Sequence, residues 1–428
     1  MSALITTFLV TLMIGVPVAF AFGLAAIAGL VTWSNVSMVI LPQRMFAGVD
    51  SFPFLAIPFF ILVGDLMAAS GITLSLVRFC DSLVGRIRGG LAQVNVIANV
   101  VFAGISGAAT ADAAALGAVM IPAMVKAGYD KPFAAAVTAA AAIMGPIIPP
   151  SIGMVIYSLT LGGKVSIAGL FMAGILPGLL IALVLSILCY VMAVRRGYPV
   201  SDEGFALQRV ASSFRGAAPA LLAPMIILGG ILGGIFTPTE SAAVCVVYVL
   251  VVGLAIRRGL TTPIVLAAVE RSIVTTSVVT LLLATSEIVT WLLTAMHFPA
   301  ALSALVMSIA PDRVTFILVF LVFMMLAGIA VEPVPLMVMF APILAPIAYK
   351  FGIDPLHFGV MFVLAVEIGL ITPPVGSVLF VVCGVANMPL KTLSRAILPF
   401  VVAEFIALLI VAFVPAISLA IPHSLGFR

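Results

Sequence analysis

Two short segments interrupt the apolar sequence with the same chemistry. Gly145 to Ser151 reads GPIIPPS and Gly369 to Val375 reads GLITPPV. Paired prolines remove two backbone donors from a helix, and the carbonyls they free need partners that hydrocarbon does not supply. Such backbone survives at membrane depth only where it packs on protein, lines a cavity or holds an ion. A packed kink is the plain reading of one such helix; two copies at matching places favour an ion site. Upstream of each lies a second interruption, Ser106 to Asp112 (SGAATAD) and Gly328 to Pro335 (GIAVEPVP). Carbonyls and hydroxyls around Ser106, Gly107, Thr110, Gly145 and Ser151 offer one set of hard oxygen ligands, and Gly328, Val331, Gly369, Thr372 and Val375 offer the other. Oxygen cages at unwound helices suit Na⁺. Asp112 and Glu332 flank the two interruptions, as members of these ion sites or as caps of helix N-termini. The cavity between the sites is expected to present Ser106, Ala108, Pro149, Pro150, Glu367 and Pro373.

Other titratable residues carry less. Glu240 follows FTPTES, where Thr237 or Thr239 caps the next helix. Asp65, Glu287 and Glu404 read as interhelical hydrogen-bond partners, and Glu270 beside Arg271 as a solvated pair near the membrane interface. No buried Lys or Arg is expected near either break, so recognition of an anion would rest on half-helix N-termini and hydroxyls. Cys80, Cys189, Cys245 and Cys383 are scattered singly, as are His297, His357 and His423, which gives no metal-ligand spacing and no Cys-His pair. No Walker A sequence or other nucleotide motif occurs, so ATP is not the direct energy source. No organic cofactor and no nucleic-acid partner is expected.

These residues must be positioned by membrane helices. Of 428 residues 64% are hydrophobic and only 8% charged, at a mean hydropathy of +1.38, which excludes a water-soluble enzyme. The apolar runs suffice for on the order of ten crossings at about 20 residues each. No Lys or Arg precedes Arg44, so the N-terminal apolar stretch lacks the basic region of a signal peptide and reads as a short first helix, Ala3 to Met13, with a second ending near Trp33.

The two Pro-Pro segments lie 224 residues apart, and that register, carried over roughly fifty residues, aligns twelve identities. They include Ala103-Gly104-Ile105 with Ala327-Gly328-Ile329, Lys126 with Lys350, Gly128 with Gly352 and Asp130 with Asp354. Each copy reads as an interrupted hydrophobic hairpin, a polar loop and a helix broken by Pro-Pro. If Val94 to Met124 enters and leaves on one face, fourteen of the nineteen Lys and Arg collect there, including Arg195 to Arg215 and Arg257-Arg258. Arg44, Lys164, Arg313, Lys350 and Arg428 fall opposite, which makes the rich face cytoplasmic and the two repeats inverted. Inverted repeats with discontinuous helices are the pattern of secondary transporters. The expected fold is an all-α polytopic membrane protein of the elevator type. Scaffold helices and a first arm (Thr73 to Gly89) occupy 1–90, and the first repeat 91–165. Scaffold, cytoplasmic linker and second arm (Ala300 to Arg313) occupy 166–312, the second repeat 313–388 and a terminal helix 389–428. Both termini are expected outside the cytoplasm.

Four motifs in order, GISGAATADAAALGAVMIPAM, GPIIPPSIGMVIY, FTPTESAAV and ITPPVGSVLF, resemble the large membrane subunit of tripartite ATP-independent periplasmic (TRAP) transporters. The resemblance covers essentially the whole chain. It implies an elevator-type importer of a carboxylate, such as a sialic acid or a C4-dicarboxylate, in a bacterial inner membrane. It also implies delivery by a periplasmic binding protein, coupling to Na⁺ and a separate small four-helix membrane subunit. The ion sites it implies lie between Ser106 to Asp112 and Gly145 to Ser151, and between Gly328 to Glu332 and Gly369 to Val375. Two other classes compete. An intramembrane hydrolase would use Ser106 with Asp112 but lacks a histidine and leaves the repeat unexplained, and a passive channel fits poorly with hairpins that end at the midplane.

Overall fold

The computed structural model describes residues 2–33, 36–198, 206–256 and 259–427, and among these every regular element is helical. Eight described helices are long and apolar enough to cross a membrane, or nine if Ala301–Ile309 and Arg313–Ile329, bent by 108°, form one span.

The chain opens with α1 (Ser2–Met13) and α2 (Val18–Thr32), packed together across a turn at Gly15, whose φ of +84° suits glycine. Then come α3 (Ile40–Ala47), α4 (Ala56–Ala69) and α5 (Ile72–Val84). The first hairpin is α6 (Gly90–Ser106) with α7 (Ala109–Lys126), and its broken helix is α8 (Lys131–Ala142) with α9 (Ile152–Thr160). Between repeats run α10 (Ile167–Arg196), α11 (Leu207–Leu232), α12 (Pro238–Val251), α13 (Thr262–Ala295) and α14 (Phe298–Ile309). The second hairpin is α15 (Arg313–Ala330) with α16 (Pro333–Lys350), followed by α17 (Pro355–Gly369) and α18 (Ser377–Ala386). Helices α19 (Leu390–Phe413) and α20 (Ala416–Ser424) close the chain. The two segments read as arms from the sequence are the helices α5 and α14. The short α3, packed on α13, is not anticipated by the sequence reading.

The repeat is visible at the level of caps. Helices α7 and α16, and likewise α8 and α17, begin 224 residues apart. Gly128 (φ +88°) and Gly352 (φ +70°) end the hairpins in the left-handed region. Two residues later Asp130 and Asp354 stand at the N-caps of α8 and α17. Asp354 accepts from the backbone N–H of Leu356 (2.8 Å) and His357 (3.2 Å). Asp130 instead pairs with Arg196 at 3.2 Å and accepts from the Tyr198 hydroxyl at 2.7 Å. At the entry to the second hairpin, hydrogen bonds from the Thr315 backbone and hydroxyl hold the Asp312 carboxyl below the usual carboxylate range.

The hairpins embrace crosswise: α7 packs on α18 of the other repeat and α16 on α9. This two-fold exchange is what an inverted repeat produces. Helix α8 is buried at every residue from Phe133 to Ala142, as α17 is from Leu356 to Gly369, and the alanines of α8 let α6, α7 and α19 approach closely. Helix α10 runs beside the repeats, where Gly169 faces Leu356 and Gly178 faces Ile148. Helices α4, α11, α12 and α13 pack on one another, with α4 and α11 against α6 and α13 against α16.

Both interruptions are shorter than expected. The first hairpin unwinds only at Gly107 and Ala108, so Thr110 and Asp112 already belong to the first turns of α7. The second unwinds only at Val331 and Glu332, because Pro333 at the first position of α16 starts a helix as readily as it ends one. Residues 199–205 of the linker, with Asp202 and Glu203, and the Arg257-Arg258 pair lie outside the described residues.

Candidate functional site

The first break draws together most of the residues read from the sequence. Gly107, at φ +64°, sits against the Pro150 carbonyl, where a Cβ would stand 2.8 Å from the oxygen. The Ser106 hydroxyl donates to Asp112 Oδ1 across the hairpin tip, and Asp112 is fully buried. Its second oxygen, Oδ2, has no hydrogen-bond partner among the described residues and faces the position that a Cβ on Gly145 would fill. Ser151 is less available: it donates to the Pro146 carbonyl and accepts from the Met154 backbone at 3.1 Å as the cap of α9. Thr110 is half-buried and turned to the neighbouring cavity. Asn95 and Asn99, which the sequence reading passes over, tie this hairpin to α8. The Asn95 amide donates to Thr138 Oγ1 at 2.7 Å and that of Asn99 to Asn95 Oδ1 at 3.0 Å. Their signal is two amides one turn apart in an apolar helix.

The second break has the same backbone and different charges. Gly328 and Gly369 meet face to face, a Cβ on Gly369 standing 2.6 Å from Gly328 Cα. Gly376 N–H donates to the Ile329 carbonyl at 3.3 Å, joining hairpin tip to break. The position equivalent to Asp112 is Leu336, and the carboxylates are Glu332 at the N-cap of α16 and buried Glu367. Glu367 Oε2 has no hydrogen-bond partner among the described residues and lies within electrostatic reach of Glu332 and Asp112. Glu332 is exposed and makes no cap hydrogen bond. The Thr372 hydroxyl bonds back to the Ile368 carbonyl at 2.7 Å, and the Val375 side chain is exposed, so only its carbonyl remains a candidate ligand. The Gly328–Gly369 contact makes a stability prediction. Gly369→Ala is expected to push hairpin and helix apart at a cost of about 1–3 kcal/mol, read as a lower midpoint of thermal unfolding in detergent. An unchanged midpoint would show that the pair separates freely.

Between the hairpin tips opens a cavity of about 720 Å³. Ser106, Ala108, Thr110 and Pro146 line it from the first repeat, Glu332, Met337 and Glu367 from the second. Pro149 turns the other way, onto an apolar cavity of about 630 Å³ between α6 and α11, while Pro150 and Pro373 line neither. The opposite wall comes from outside the repeats: Ile61, Gly64 and Asp65 of α4, and Glu270, Arg271 and Thr275 of α13. Glu270 and Arg271 are both exposed, as a solvated pair would be, and the cavity that they line brings one base to the site. Gly64 permits the contact, since a Cβ there would stand 3.3 Å from Ser106 Cα.

Glu240 is structural, as expected: it forms a capping box with Thr237, accepting from the Thr237 backbone at 2.8 Å and donating its own N–H to Thr237 Oγ1 at 3.3 Å. Glu404 is fully buried, yet neither carboxyl oxygen meets a hydrogen-bond partner among the described residues, contrary to its reading as an interhelical link.

Comparison with known proteins agrees with this architecture. The family profile described as the tripartite ATP-independent periplasmic transporter, DctM component, spans residues 5–417. The sialic acid TRAP transporter large permease protein SiaM of Vibrio cholerae is 37% identical over 96% of this chain and 95% of its own length. The isethionate TRAP transporter permease protein DctMQ of Oleidesulfovibrio alaskensis is 37% identical over 96% of this chain and 65% of its own length. The crystal structure of the YdaH transporter of Alcanivorax borkumensis, at 16% identity, superposes with a TM-score of 0.67 over 90% of each chain and shares the fold. These relatives are transporter permeases, which removes the hydrolase reading of Ser106 and Asp112. Hairpins meeting at two broken helices, family profile and full-length relatives converge: the chain belongs to the DctM family, the large membrane permease of tripartite ATP-independent periplasmic transporters.

Proposed function

We propose that the protein is the Na⁺-coupled, elevator-type permease for a small organic anion, taken from a periplasmic binding protein in a bacterial inner membrane. The cargo is an acid of the sialic acid or C4-dicarboxylate kind, and a small four-helix membrane subunit completes the assembly. DctMQ, a longer relative with a combined name, supports the need for that subunit. The moving block comprises both hairpins and both broken helices, with α10 and α19 packed on them; the frame comprises α4, α11, α12 and α13. The basic face, with Arg86, Arg88, Lys126 and Lys131, is cytoplasmic.

One observation carries the coupling. Asp112 Oδ2 and Glu367 Oε2 are buried carboxylate oxygens without hydrogen-bond partners among the described residues, one at each break. An ionised carboxylate left unpaired in such surroundings is strongly unfavourable, so each calls for a cation. Na⁺, a cargo here, fits the surrounding hydroxyls and unwound carbonyls of Ser106, Gly107, Gly145, Gly328, Val331 and Thr372. A proton would satisfy the same oxygens, and this is the second reading. Uptake into proteoliposomes holding the permease, small subunit and loaded binding protein separates them. Uptake is expected to follow an inward Na⁺ gradient and to fall to background without Na⁺. Full uptake driven by a pH gradient in Na⁺-free buffer would replace Na⁺ by H⁺, and unsaturable flux with single-channel conductance would favour a pore.

A further inference from the structure

The cavity poses an electrostatic problem. Its proposed cargo is an anion, yet the charged side chains around it are four carboxylates, Asp65, Glu270, Glu332 and Glu367, and one base, Arg271. Cations at the breaks answer the carboxylates of the repeats. On the frame side the balance is set by Asp65 and Glu270 against Arg271.

Arg271 is not a terminal residue of its helix. It lies roughly two and a half turns into α13 at about 3.6 residues per turn, inside the apolar span Thr262–Ala295. Ala267, Arg271 and Thr275 recur every fourth residue, share one helix face, and all line the cavity. The Thr275 hydroxyl is turned back onto the Arg271 carbonyl at 3.0 Å, which leaves the guanidinium as the donor group of this face. Among the described residues Arg271 makes no salt bridge, although Asp65 on the neighbouring α4, along the same wall, lies close enough to attract it. The planar guanidinium therefore keeps its donors for a two-oxygen acid group, to which it binds in fork geometry.

We propose that Arg271 is the anion-recognition residue of this cavity, gripping the acid group of the cargo from the frame side, with Asp65 as its counter-charge when no cargo is present. The proposal rests on reading the cavity as the transport site. It places the charge of the anion on the frame and the ion sites on the repeats, so that both are engaged together only when the hairpin tips stand opposite α13 as they do in this structure. A carboxylate and a sulfonate present the same oxygen pair to the guanidinium.

The test measures binding of N-acetylneuraminate, succinate and isethionate to the permease with its small subunit in nanodiscs at saturating Na⁺. Arg271→Gln is expected to weaken the acid that wild type binds by about ten- to a hundredfold. Arg271→Lys should recover part of the loss, and Asp65→Asn, which removes the competitor, should tighten binding a few-fold. The rise in unfolding temperature on adding Na⁺ should persist in all three, which a merely structural role for Arg271 does not require. Wild-type affinity in Arg271→Gln overturns the assignment. So does weakening in Asp65→Asn, which decides the matter even if Arg271→Gln fails to fold. A wild type that binds none of the acids and supports no uptake overturns the transport reading itself.

Discussion

Asp112→Asn is expected to abolish the Na⁺ stimulation of uptake while leaving a folded protein. Asn keeps the shape of the side chain and can still accept the hydroxyl of Ser106, so the tip of the first hairpin should close as before. What it lacks is the negative charge at Oδ2, the oxygen that no protein donor satisfies. Breaking a buried charge pair costs about 3–5 kcal/mol, which corresponds to a loss of ion affinity of roughly a hundredfold or more. Gly145→Ala should reproduce part of the defect by a different route. Its methyl would occupy the space of the Asp112 carboxylate, so the half-saturating Na⁺ concentration is expected to rise about tenfold. Because both changes strike one site, the double variant should be no worse than Asp112→Asn alone. The measurement is initial uptake in proteoliposomes across a Na⁺ series. A wild-type Na⁺ dependence in Asp112→Asn would remove Asp112 from the ion site.

Crosslinking the first hairpin to the frame is expected to stop transport. Helices α6 and α11 face each other across the apolar cavity that Val101, Leu221 and Met225 line. A void between moving and fixed parts leaves few interlocked side chains to oppose sliding. Movement by about one helical turn, roughly 5 Å, would carry Val101 from one of these α11 positions toward the other. With Cys80, Cys189, Cys245 and Cys383 replaced, Val101→Cys should therefore crosslink with Leu221→Cys and with Met225→Cys in proportions that change with Na⁺ and cargo. Either crosslink should reduce uptake to below about a tenth, restored by reductant. Full uptake with the crosslink in place would sink the sliding model and leave local opening of the hairpins.

The sequence by itself determined the repeat and the chemistry of its breaks. Gly, Pro and Asp are read from sequence because each acts on its own backbone: Gly128 and Gly352 permit a positive φ, Asp130 and Asp354 stand before new helices, and the Pro-Pro pairs forbid a continuous one. The same local logic made the Thr237–Glu240 capping box legible. What only the tertiary structure decided is which side of each helix meets which neighbour. Arg271 reads from sequence only as one half of a solvated pair with Glu270, and it is the packing of α13 against α16 and α4 that sets its exposed side chain at the cavity. Pro149 and Ser106 looked equivalent, but one lines the apolar cavity against α11 and the other the cavity between the hairpin tips. Glu404 looked like a hydrogen-bond partner, since intramembrane carboxylates usually find one, and its neighbours supply none. Apolar helices of similar composition on every side erase the periodicity that marks an inward face in a water-soluble protein. In this chain burial and partnership are therefore set by packing between helices distant in sequence.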